Sequence, residues 1–180
     1  MSSLLIDNKV ELNDINAVIF DKDGTLIDIH HYWASIIEIR ASLVAKKWFN
    51  NGERGRIEEY LINIMGVNLQ TGKMMPDGPV GVMSRSYIVN IVANFVRKTF
   101  QEITNKDIEE IFKNVDYISS REMSSFIKIL PGVEDLLVKL KKCNIQSIIV
   151  STDITIRAKL AMESVRLDKY FSRIIGGDLT

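Results

Sequence analysis

Two aspartates separated by one residue, Asp21 and Asp23, lie in the stretch AVIFDKDGTLID, residues 17–28, directly behind a short apolar run and ahead of Gly24 and Thr25. In an extended segment residues i and i+2 point the same way, so both carboxylates can converge on one site while Lys22 faces elsewhere. Such a pair can supply a nucleophile, a general acid or base, or oxygen ligands for a hard cation. Two acids this close disfavour joint ionisation, which helps one of them hold a proton. Gly24 lets the chain turn sharply and exposes backbone groups. An EF-hand calcium loop is excluded by spacing, because with Gly24 at its sixth position the first and twelfth would be Ile19 and His30. A plain turn rich in Asp and Gly is the other ordinary reading, yet DxDG followed by Thr or Ser arises by chance in only on the order of a few chains per thousand of this length.

The elements around the acids give them a place. AVIF, residues 17–20, reads as a buried strand bounded by Asp21 and Gly24. From Ile29 to about Ile129 the period becomes helical: Trp33, Ile36, Ile37, Leu43, Val44 and Trp48, then Ile57, Leu61, Ile64 and Met65, keep spacings of three and four. A continuous stripe of Met83, Tyr87, Ile88, Ile91, Val92, Phe95, Val96 and Phe100 predicts a third helix that forms core of the insertion. Thr104 and Asp107 resemble a capping box opening a fourth. After Pro131 and Gly132 come a helix VEDLLVKLKKC, an apolar run IQSIIV at 145–150, a helix near Ile154 to Arg166, and RIIGG at 173–177. Strand and helix in alternation predict an α/β fold with a Rossmann-like parallel sheet. The core is expected over residues 1–28 and 130–180, interrupted by an all-helical insertion over 29–129. TGKMMPDGPVG, 71–81, reads as a loop inside the insertion. Acids at the carboxyl end of a strand in such a sheet stand where these folds bind ligands.

Bulk composition narrows the partners. The chain of 180 residues carries 23 Lys plus Arg against 23 Asp plus Glu, so no global field recruits nucleic acid or an anionic membrane, and a small partner is expected. The hydrophobic fraction is 46%, but no run approaches the roughly 18 apolar residues of a membrane span, so the chain reads as soluble and globular. The start MSSLLIDNKVELND lacks a basic segment followed by an apolar core, and no secretory signal is expected. Cys143 is the single cysteine, which excludes an intrachain disulfide and agrees with a cytoplasmic location.

Phe20-Asp21-Lys22-Asp23-Gly24-Thr25-Leu26 resembles the first motif of the haloacid dehalogenase superfamily in its phosphatase form. IIVST places Ser151 where that family carries its second motif, and PGVEDLLVKLKKCNI and LDKYFSRIIGGD are similar to the family's phrasing around it. The helical insertion resembles the family's helical cap. The resemblance implies a magnesium-dependent phosphohydrolase acting on a small phosphorylated metabolite through an aspartyl-phosphate. It implies Asp21 as nucleophile, Asp23 as acid and base, and Ser151, Thr152 and Gly24 around the phosphate. It further implies Mg2+ on Asp21 and the Asp23 main-chain carbonyl. Cap residues such as His30 and Arg85, with His31 and Lys73, are candidates to face substrate. Dehalogenases of the family usually lack the second acid, so Asp23 favours phosphate chemistry. A phosphomutase, and a catalytically incomplete fragment or noncatalytic binding module, inactive for want of the family's third and fourth motifs, are the alternatives.

The sequence also departs from the family pattern. Thr152 and Asp153 follow Ser151 where the family commonly has Asn, so Asp153 either narrows substrate choice or caps a helix. The family's third-motif Lys and fourth-motif acids normally follow RIIGGD, whereas the sequence given ends at Thr180, and Lys169 precedes the last strand and does not replace them. The family's first strand is central, so AVIF is expected either to be covered by more of a longer enzyme, by a second copy, or by a partner at its edge.

Overall fold

A computed structural model describes residues 4–6 and 9–179. The chain divides into two compact units, Met1–Asp28 with Met123–Thr180, and Ile29–Glu122. The second division falls at Glu122/Met123, earlier than the 129/130 expected from the sequence, because the segment after Glu122 packs with the α/β unit.

The α/β unit opens with strands β1, Leu4–Ile6, and β2, Val10–Leu12, paired antiparallel as a hairpin. β3, Ala17–Phe20, follows. The chain then builds the helical unit: α1 (Ile29–Trp48), α2 (Arg54–Met65), the paired strands β4 (Val67–Asn68) and β5 (Lys73–Met74), α3 (Arg85–Arg97) and α4 (Asn105–Arg121). It returns through α5 (Met123–Phe126), α6 (Val133–Lys142), β6 (Gln146–Val150), α7 (Thr155–Ser164), a 3-10 turn at Asp168–Tyr170, and β7 (Phe171–Ile175). The loop expected at 71–81 therefore contains a short strand, β5, held against β4.

β3, β6 and β7 form a parallel sheet in that order. Among the described residues β3 has no neighbour on its other side, and Ile19 is 67% exposed while Phe20 is buried. The expectation of a buried strand is thus corrected: an apolar β-branched run signals a strand, but burial depends on what covers it. Beneath the sheet, α6 buries Val133, Leu137 and Leu140, a stripe at spacings of three and four, and carries Glu134 and Asp135 in its first turn against Lys139, Lys141 and Lys142 in its last. That arrangement complements the helix dipole at both ends.

The insertion leaves and returns at one place. Asp28 N–H donates to the Lys128 carbonyl at 2.8 Å, Leu130 N–H donates to the Leu26 carbonyl at 3.0 Å, and Ile27 bridges Ile129 antiparallel. The helical unit has its own core, in which Ile37, Val44, Leu61, Met65, Val92 and Phe112 are fully buried.

The capping box expected at Thr104 is present: Thr104 Oγ1 accepts the Asp107 N–H, and an Asp107 carboxylate oxygen accepts the Thr104 N–H. It satisfies N–H groups that the first helical turn leaves without intrahelical partners. Thr104→Ala should cost about 1 kcal/mol and lower the melting temperature by about 2–4 °C; an unchanged thermal unfolding curve would show that the box contributes nothing.

Candidate active site

Parallel pairing sets the site. Phe20, the last residue of β3, is in register with Ile149, so Asp21 follows opposite Val150, the last residue of β6, and Ser151 comes one step beyond it. Asp21 is exposed, Asp23 keeps 17% side-chain exposure, Ser151 is buried and Thr152 is exposed. Gly24 has φ 84°, a left-handed conformation that favours glycine, and its N–H donates to the Ile27 carbonyl at 2.9 Å. Gly24 therefore shapes the turn, and its N–H is already engaged.

Lys22 does not face elsewhere. Its side chain is fully buried, with Nζ 2.7 Å from Asp23 Oδ1 and 3.3 Å from Asp153 Oδ2. The alternation argued from sequence holds only while the chain is extended, and the strand ends at Phe20. Beyond it the Lys22 carbonyl accepts the N–H groups of Leu26 at 2.9 Å and Ile27 at 3.2 Å, which curls the segment into a turn. Burial holds the Asp23 carboxyl above the usual carboxylate range; Lys22 pulls it back, and Asp153 and Asp21 add to the rise.

The loop after β6 is closely tied. Asp153 N–H donates to Ser151 Oγ at 3.1 Å, Ile154 N–H to Asp153 Oδ1 at 2.9 Å, and Thr155 N–H to Asp178 Oδ1 at 2.6 Å. A helix start ordinarily offers such N–H groups to an anion, but here those of Asp153, Ile154 and Thr155 have side-chain acceptors. Thr155 Oγ1 also donates to Asp178, at 2.7 Å, and accepts the Gly176 N–H at 3.0 Å. A Cβ at Gly176 would meet Thr155 N at 2.2 Å and Asp153 O at 2.5 Å, so this close approach of two backbones requires glycine.

The two substrate-facing candidates of the helical unit have structural partners. His30 Nδ1 accepts the Met74 N–H at 3.2 Å, fixing β5 on α1, and Arg85 pairs with Glu109 at 2.9 Å and Asp116 at 2.5 Å. His31 and Lys73 are exposed.

Magnesium prefers oxygen ligands and is usually held by one or two carboxylates together with substrate phosphate. The Asp21 carboxylate and the main-chain carbonyls of its loop are such donors, whereas the Asp23 carboxylate faces the Lys22 ammonium. Among the described residues no group of three or more His, Cys, Asp or Glu could hold a metal by itself. The donor set fits an ion completed by phosphate oxygens.

The sequence profile of the haloacid dehalogenase-like hydrolases matches residues 15–180. The chain belongs to that family. A search of curated proteins returned no match. Among solved structures, the chain is similar to a predicted phosphoglycolate phosphatase from Haemophilus somnus 129PT, with TM-score 0.57, 14% identity, and coverage of 92% of this chain and 64% of that one. A HAD-superfamily hydrolase, subfamily IA, variant 1, from Geobacter sulfurreducens PCA gives 0.56 at 16% identity, with coverage of 92% and 64%. A HAD hydrolase, family IA, variant 3, from Entamoeba histolytica HM-1:IMSS gives 0.52 at 20% identity, with 92% and 63%. These likenesses are of fold, and this HAD-like chain spans under two thirds of the length of those proteins. Among the described residues no helix is long and apolar enough to cross a membrane.

Sequence reasoning turned Lys22 away from the acids and passed over Asp178, although the Asp ending RIIGGD was legible as a charged residue at a strand end. Hydrogen bonds from the Thr155 hydroxyl and N–H hold the Asp178 carboxyl below its ordinary 3.8. A depressed carboxyl contributes stability above its unfolded pKa and loses it as pH falls through the folded value. Asp178→Asn should therefore melt below the wild type at neutral pH, with the gap closing as pH falls below 3.8; a gap independent of pH would deny the charge a role.

Proposed function

We propose that this HAD-like chain is a magnesium-dependent phosphohydrolase acting on a small phosphorylated metabolite through an aspartyl-phosphate. The observation that carries the reading is the division of labour between the two acids. Asp21 stands exposed at the strand end, while Asp23, two residues on, is largely buried with its carboxyl raised toward the protonated form. One is suited to attack and the other to carry a proton.

In the first half-reaction an Asp21 oxygen attacks phosphorus. The bond from phosphorus to the ester oxygen breaks, its electron pair leaves with that oxygen, and the oxygen takes the proton from Asp23. Water then attacks the phosphorus of the acyl phosphate and gives a proton to the Asp23 carboxylate. The bond from phosphorus to Asp21 breaks, which releases inorganic phosphate and restores both acids. Ser151 Oγ accepts the Asp153 N–H, which leaves its own proton available to a phosphoryl oxygen, with Thr152 and Gly24 as the other residues proposed around the phosphate. The Asp21 carboxylate and the Asp23 main-chain carbonyl would hold magnesium, which would supply charge neutralisation between an anionic nucleophile and an anionic substrate.

The test is hydrolysis of a nitrophenyl phosphate with and without magnesium. Turnover should require the metal, vanish in Asp21→Asn, and fall in kcat by about 10²–10⁴-fold in Asp23→Asn. Turnover that survives Asp21→Asn would overturn the covalent route, and a wild type without turnover would favour a noncatalytic module of the same fold.

A further inference from the structure

We propose that Lys22 is a positioning residue whose ammonium ties the Asp23 carboxyl group to the 151–153 loop, holding the proton donor in fixed relation to the phosphate-binding hydroxyl. The inference rests on the phosphotransfer reading of Asp21 and Asp23. It starts from an oddity of the sequence, a lysine between the two acids, and from its placement with no exposed surface.

An ammonium buried this completely needs anionic partners. Lys22 has one on each of two loops: Asp23 Oδ1 at 2.7 Å on the loop after β3, and Asp153 Oδ2 at 3.3 Å on the loop after β6. Asp153 is fixed in turn. Its other oxygen accepts the Ile154 N–H at 2.9 Å, and its own N–H donates to Ser151 Oγ at 3.1 Å. A continuous path of bonds therefore runs from Asp23 through Lys22 and Asp153 to Ser151. The backbone of Lys22 is held as well, its carbonyl accepting the Leu26 and Ile27 N–H groups. A lysine needed only for packing could meet one acid on its own loop. Bridging two loops that each carry a proposed reacting group is what a positioning role requires.

The variants are Lys22→Met, which keeps the apolar stem and removes the charge, Asp153→Asn, which reads the same link from its other end, and the two combined. Each is assayed for kcat/KM on two substrates, a nitrophenyl phosphate and a simple alkyl phosphate. An activated phenolate leaves with little help, whereas an alkoxide needs the proton from Asp23. Lys22→Met should lose at least about tenfold more on the alkyl ester than on the nitrophenyl ester, and Asp153→Asn should show the same selective loss to a smaller degree. The double variant should match Lys22→Met alone in both kcat/KM and melting temperature, because both substitutions break one link. Equal losses on both substrates, or additive shifts in melting temperature, would overturn the inference. A wild type silent on both esters would overturn the parent reading and this inference with it. That result is distinct from failure of the inference alone, in which the wild type turns over and the variants lose both substrates equally.

Discussion

The pairing of β3 with β6 is the constraint on which the site depends, because it brings the residue after Phe20 beside the residue after Ile149 across the whole length of the helical unit. A disordered connection of that length would place a loop-closure cost on the pairing, although each doubling of length adds only about 0.6 kcal/mol. The chain reduces even that cost by bringing the insertion's two ends together at Leu26–Asp28 and Lys128–Leu130, where main-chain bonds join exit and return. The α/β unit thus experiences the insertion as a short connection. With a buried core of its own, the helical unit can be ordered internally without adjusting the register of the sheet.

Charge is the second constraint, and it centres on Lys22. Asp153 and Asp21 both add to the rise of the Asp23 carboxyl across the strand ends. A single fully buried ammonium offsets this concentration of negative charge. Breaking a buried ion pair typically costs about 3–5 kcal/mol, and less where the acids keep some water, as these two do at 17% and 20% exposure. The same excess of carboxylate explains why the proposed chemistry needs a cation besides Lys22. An anionic phosphate brought to Asp21 meets repulsion that an ammonium already committed to Asp23 and Asp153 cannot relieve.

What was legible in the sequence follows from periodicity. The Thr104–Asp107 box of α4 is a local signal and is present, and the stripe in α3 marks a helix, but that helix buries Ile88, Val89, Val92, Ala93 and Val96 while Met83 and Tyr87 are exposed, so its core face is corrected. The β1–β2 hairpin was not legible, since strands of three residues are too short for alternation to register. The exposure of Ile19 depends on the neighbours of β3, which its own four residues do not encode. Asp21, Asp23 and Ser151 could be placed at strand ends because strand boundaries are marked by composition. The direction of Lys22 could not, because alternation stops with the strand and a long flexible side chain follows charge instead of pleat.

The loop after β6 shows how the proposed phosphate side of the site is built. A helix start ordinarily offers its first N–H groups to an anion. Here Ser151, Asp153 and Asp178 supply acceptors to the N–H groups of Asp153, Ile154 and Thr155, so most of that capacity serves the fold. Gly176 N–H donates to Thr155 Oγ1 and Gly177 N–H to the Asp153 carbonyl, which fastens the turn after β7 to the same loop. Glycine at 176 permits that approach, and Asp178 completes it. The consequence is rigidity: the loop bearing Ser151 and Thr152 is held from β7 on one side and through Asp153 and Lys22 from β3 on the other. A hydroxyl so held can meet a phosphoryl oxygen without first being ordered, and the cost of ordering it is met in folding and not in each catalytic cycle.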